Sequence, residues 1–94
     1  MKTTKKAPFT KGEINLMVKY GIDGFNVTGP RGYVITNHFG VTVPANEFEV
    51  ELYRQTMIQY SKYEAGDFSA VRDFDRLKYL FLKVNPEAYY DLID

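Results

Sequence analysis

Tyr33-Val34-Ile35-Thr36-Asn37-His38-Phe39-Gly40-Val41-Thr42-Val43 decides whether this chain is all-helical or mixed. Tyr33 to Thr36 is aromatic and β-branched, and so is the run Val41 to Val43, the composition that suits a pleated, half-buried strand. Asn37 stands first and Gly40 fourth in the intervening tetrad, which is the preference of a type I turn. The stretch therefore reads as two strands joined as a hairpin, the second ended by Pro44.

Working outward toward the N-terminus, Gly29-Pro30-Arg31-Gly32 is a turn with two glycines. Before it, Phe25-Asn26-Val27-Thr28 alternates apolar and polar and reads as a further short strand, preceded by an Asp23-Gly24 turn. Thr10-Lys11-Gly12-Glu13 has the spacing of a capping box, and Ile14, Met17 and Val18 then share a helical face that ends at Gly21. Ile14, Leu16, Val18 and Tyr20 also alternate as a strand would, so residues 11–21 admit both readings, with the stop signals at each end favouring helix. Residues 1–9, polar and basic with Pro8 near their end, read as a flexible arm, which leaves 10–94 as one domain.

Toward the C-terminus, Asn46 with Glu49 three residues later marks the start of a helix expected from about Glu47 to Ala65, stopped by Gly66. Phe48, Leu52, Tyr53, Thr56, Met57, Tyr60 and Tyr63 form its expected inner arc. A third helix starts near Asp67 or Ser69 and runs to about Val84, with Val71, Phe74, Leu77, Phe81 and Val84 inward and Ala70 and Leu80 flanking. Asn85-Pro86 breaks it, and a short helix follows from Glu87 to Ile93. The expected fold is α+β: a small antiparallel β-meander of about three strands covered by a helical pair, with a short N-terminal helix or strand and a short C-terminal helix.

At 94 residues the chain holds one modest core. Lys+Arg and Asp+Glu number 12 each, so the chain as a whole is neither a polybasic arm nor a DNA mimic. The charge is unevenly spread. Residues 1–45 hold six basic groups against two acidic ones, and residues 46–94 hold six against ten. No cysteine excludes disulfides, thiolate metal sites and cysteine nucleophiles, and a single histidine, His38, excludes a multi-histidine metal cage. The longest apolar run, Tyr79-Leu80-Phe81-Leu82, is too short for a signal peptide core or a bilayer span, so an intracellular protein with no membrane partner is expected. No Walker loop, dinucleotide fingerprint or nucleophile elbow is present, and no catalytic residue, metal or cofactor is assigned. Glu47 and Glu51 read as a solvated ion-pair face with Arg54, and His38 as a turn residue.

The binding candidates lie on the helices and one turn. Arg72, Arg76, Tyr79 and Lys83 are spaced along one stripe of the third helix, opposite its apolar face. Such a stripe can hold an acidic protein surface, with Tyr79 as anchor, or a phosphate backbone. Against this stand Asp73 and Asp75, and the fact that any amphipathic helix has a charged outer face. Ile58 interrupts the polar side of the second helix, where it can anchor a partner or touch the N-terminal helix. Arg31 sits at a predicted loop tip. Eight tyrosines add an interface-favouring composition. The expected function is a non-enzymatic interaction module that occupies a protein partner, in the manner of small phage- or mobile-element inhibitors and adaptors. The alternatives are nucleic-acid binding through Arg72, Arg76 and Lys83, and a small-ligand or enzymatic site completed at a homo-oligomer interface.

Overall fold

The computed structural model describes residues 9–24 and 27–93. The architecture is α+β: α1 (Lys11–Tyr20), β1 (Tyr33–Thr36), β2 (Thr42–Ala45), α2 (Glu47–Glu64), a 3₁₀ turn (Phe68–Ala70), α3 (Val71–Val84) and α4 (Pro86–Leu92). α2 and α3 form the main helical pair, and the hairpin packs on α2 and α4.

Local chemistry sets the helix ends. The Glu13 N–H donates to Thr10 Oγ1 at 3.1 Å and the Glu13 carboxylate accepts from the Thr10 N–H at 2.8 Å. Asn46 and Glu49 make the same reciprocal pair at the start of α2. α1 ends at Gly21, whose φ of 68° is left-handed, and the Ile22 N–H then donates back to the Met17 carbonyl at 2.9 Å. Ile22 is buried, which completes the hydrophobic contact of that cap.

The sheet has two strands among the described residues, paired antiparallel with Ile35 opposite Val43 and Val34 opposite Pro44. The expected strand at 25–28 is not formed at Val27 and Thr28, which lie in a turn; Phe25 and Asn26 fall outside the described residues. The cause is on α2's cap: Asn46 Nδ2 donates to the carbonyls of Val27 and Gly29, which holds this backbone in the turn. Pro44 does not end β2 but lies within it. The Asn37 N–H donates to the Val41 carbonyl, and inter-strand bonds recur at every second pair, so Pro44 occupies a position whose nitrogen points away from β1.

The core gathers Leu16 and Met17 from α1, Ile35, Val43 and Ala45 from the hairpin, Phe48 and Leu52 from α2, and Leu77, Leu80 and Phe81 from α3, closed by α4. Three faces differ from their periodic expectation. On α1 the buried residues are Leu16 and Met17, with Ile14 and Val18 exposed. On α3 the buried stripe is Leu77, Leu80 and Phe81, with Phe74 and Val84 half-buried and Val71 exposed. On α2 it is Phe48, Glu49, Leu52, Thr56 and Gln59, so Met57 and Tyr60 move to the margin and Tyr63 to the surface. Phe9, assigned to the arm by sequence, packs its ring 6.1 Å from that of Phe48. Residues 1–8 lie outside the described ones.

Candidate functional site

An open hollow lies between β1 and α2. Val50, Arg54, Met57, Ile58 and Ser61 recur at helical three- and four-residue spacing and so present one side of α2. Val34, Ile35 and Thr36 of β1 face them across a groove of about 610 Å³. Ile58, singled out in the sequence for breaking a polar face, sits here and is 36% exposed. It faces β1 across the groove. Tyr53 also lines the groove, its ring tilted at 54° to that of Phe81 with centroids 6.0 Å apart, and burial pushes its phenol above the ordinary value. The charged groups lining the groove are cations, Lys62 and Arg54; Arg54 is held from outside by Glu51 at 2.9 Å.

β1 leaves its outer edge open. Asn37, Ile35 and Tyr33 direct their backbone groups toward β2, so those of Val34 and Thr36 point outward, beside the groove. Sequence reasoning named Ile58 but missed Val34, Thr36, Val50 and Met57. The signal was present in Tyr33 to Thr36, a strand with no lysine, glutamate or proline to guard an edge.

The cationic stripe of α3 is only partly available. Arg72 and Arg76 are exposed, and Tyr79 is 59% exposed. Lys83, however, bonds Glu13 of α1 at 2.8 Å and lies 5.8 Å above the Phe9 ring. The expectation that all four residues form one accessible face is therefore corrected: α1 lies along α3 and engages its C-terminal cation. A smaller hollow of about 290 Å³ remains between Thr10–Glu13 and Arg76, Tyr79 and Leu80.

Arg31 is not a presented loop tip. Its guanidinium binds the Glu49 carboxylate through both Nε and Nη2, the latter at 2.9 Å. Glu49 is wholly buried and also accepts from the Asn46 N–H at 2.9 Å and Asn85 Nδ2 at 3.1 Å. This cluster joins the 27–31 turn to the starts of α2 and α4, and Arg31 is a structural residue in it. His38 lies in the hairpin turn with its ring 4.2 Å from that of Phe39. Among the described residues no group of three or more His, Cys, Asp or Glu is arranged to hold a metal, and no helix is long and apolar enough to cross a membrane.

The α1–α3 contact carries a pH signature. Lys19 Nζ bonds Asp73 at 2.6 Å and the Tyr20 hydroxyl donates to the same oxygen, so the Asp73 carboxyl falls below its ordinary range. Burial pushes the Glu13 carboxyl up, but the bonds from Lys83 and the Thr10 N–H outweigh it and the net shift is downward. Both contributions are present above ordinary carboxylate values of about 4 and lost as pH falls through them. Tyr20 is pushed up to about 12, first by burial and then by Asp73. Its contribution is present below its unfolded value of about 10 and lost as pH rises beyond it. Urea unfolding across pH should show a plateau with a fall on each side. Asp73→Asn should flatten the acid limb and Tyr20→Phe the alkaline one; limbs unchanged in both variants would contradict this assignment.

No protein-family model, curated protein or solved structure matches the chain.

Proposed function

We propose that this chain is a non-enzymatic binding module for a protein partner, and that the partner sits in the groove between β1 and α2. The observation that carries the reading is the groove itself: exposed, apolar on both walls, with Ile58 and Met57 on one side and an open strand edge on the other. Apolar surface left open in this way is stabilised by covering it. The cations at the margin favour an acidic partner surface. The outer face of α3 supports a second reading through exposed Arg72, Arg76 and Tyr79, as a site for an acidic protein surface or a phosphate backbone. Engagement of Lys83 by Glu13 weakens that reading, the nucleic-acid version most.

Two substitutions separate the faces. Ile58→Glu adds a carboxylate one helical turn from both Arg54 and Lys62, where i,i+4 pairs favour the helix, so the fold is retained. A partner captured by the wild-type chain should bind this variant at least ~30-fold more weakly, the loss expected for a central apolar anchor. Tyr79→Ala should bind as wild type. Loss with Tyr79→Ala and retention with Ile58→Glu would move the site to α3.

A further inference from the structure

We propose that the partner enters as a third strand on the outer edge of β1, and that it is an extended acidic segment with apolar residues at every second position. This rests on the reading of the groove as the partner site and specifies how it is filled. The backbone N–H and C=O groups of Val34 and Thr36 point outward, and among the described residues none of them has a backbone partner on that side. A strand laid there gains main-chain hydrogen bonds, and its alternate side chains fall toward Val50, Met57 and Ile58. The opposite edge of the hairpin is closed to the same event. Pro44 removes the outward N–H of β2, and α4 lies alongside, with Glu87, Ala88 and Asp91 around a hollow of only about 120 Å³. One edge is thus guarded and the other is not.

Charge selects the occupant. The groove is lined by Lys62 and by Arg54, which is shared with Glu51, and by no carboxylate. A second copy meeting this one about a two-fold axis brings the same Lys62 and Arg54 to the junction. The chain's own first residues carry Lys2, Lys5 and Lys6 and are repelled likewise. An acidic strand from a different protein has no such penalty.

The test uses the full chain, labelled with ¹⁵N, and three capped synthetic peptides: alternating valine and glutamate, alternating valine and lysine, and the glutamate peptide with N-methyl groups on one backbone edge. The glutamate peptide should shift Met57 and Ile58 and slow amide exchange at Val34 and Thr36 by at least about tenfold. It should also bind at least about tenfold more tightly than the lysine peptide. N-methylation of the peptide should abolish binding, as should Val34→Pro, which places on β1 the guard that β2 already has. Shifts at Met57 and Ile58 without protection of Val34 and Thr36 would overturn strand addition while leaving the groove reading intact. Equal binding of the lysine peptide would overturn the acidic occupant. Protection that appears with protein concentration alone would assign the edge to a second copy. No shift in the groove with any peptide would overturn the groove reading as well.

Discussion

Replacing Glu49 with alanine is expected to lower the unfolding free energy by about 3 kcal/mol, and the melting temperature by roughly 12–24 °C. The side chain is wholly buried and meets three requirements at once. It accepts from the Asn46 N–H, closing the capping box of α2; it binds Arg31 in two-pronged fashion; and it accepts from Asn85, whose own Oδ1 caps α4 through the Ala88 N–H at 3.1 Å. Removing it leaves buried donors without acceptors, which costs more than the hydrogen bonds were worth. Arg31 is 49% exposed and can return to water, so it adds little to the loss. The reverse change is not symmetric. Arg31→Ala leaves the buried Glu49 without its cation, so the double variant should be hardly less stable than Glu49→Ala alone. Calorimetry on the two single variants and the double variant checks this; costs that simply add would mean the pair is not coupled.

Phe81→Ala is expected to cost about 3–5 kcal/mol, the range for a fully buried aromatic ring removed from a core that collapses only partly. Phe81 is 0% exposed and packs its ring 6.0 Å from that of Tyr53, which lines the groove. The variant should therefore also loosen the Tyr53 side chain, seen as averaging of its ring resonances. Val71→Ala is the control. Sequence periodicity places Val71 and Phe81 on one face, yet Val71 is 38% exposed and its truncation should cost within about 0.5 kcal/mol. Similar losses at both positions, read from urea midpoints, would contradict the burial described above.

These two residues show what was legible in the sequence. The cap at Asn46 and Glu49 was readable because its partners lie three residues apart and the chemistry is local. The second function of Glu49 was not, because Arg31 lies 18 positions away and Asn85 lies 36 away. Arg31 consequently looked like a presented cation. Both strands are legible from composition, at 33–36 and 41–43, but the second runs over 42–45, through Pro44, because the rule that proline ends strands says nothing about which way its nitrogen points. The alternation of residues 25–28 suggested a strand, and the side chain of Asn46 holds Val27 in a turn instead. The stripe on α3 was geometrically sound, but Lys83 meets a carboxylate 70 positions away. Ile58 was noticed because it broke a pattern; the wall it faces across the groove comes from β1, a pairing that no local spacing reveals.

The proposed function rests most directly on the outer edge of β1 being open in the protein alone. Residue-by-residue amide hydrogen exchange measures this. Tyr33, Ile35 and Asn37 should exchange slowly, since their N–H groups face β2, whereas Val34 and Thr36 should exchange at rates near those of exposed backbone. Equal protection along the whole strand would show that the edge is already occupied, and the binding site proposed beside it would not exist.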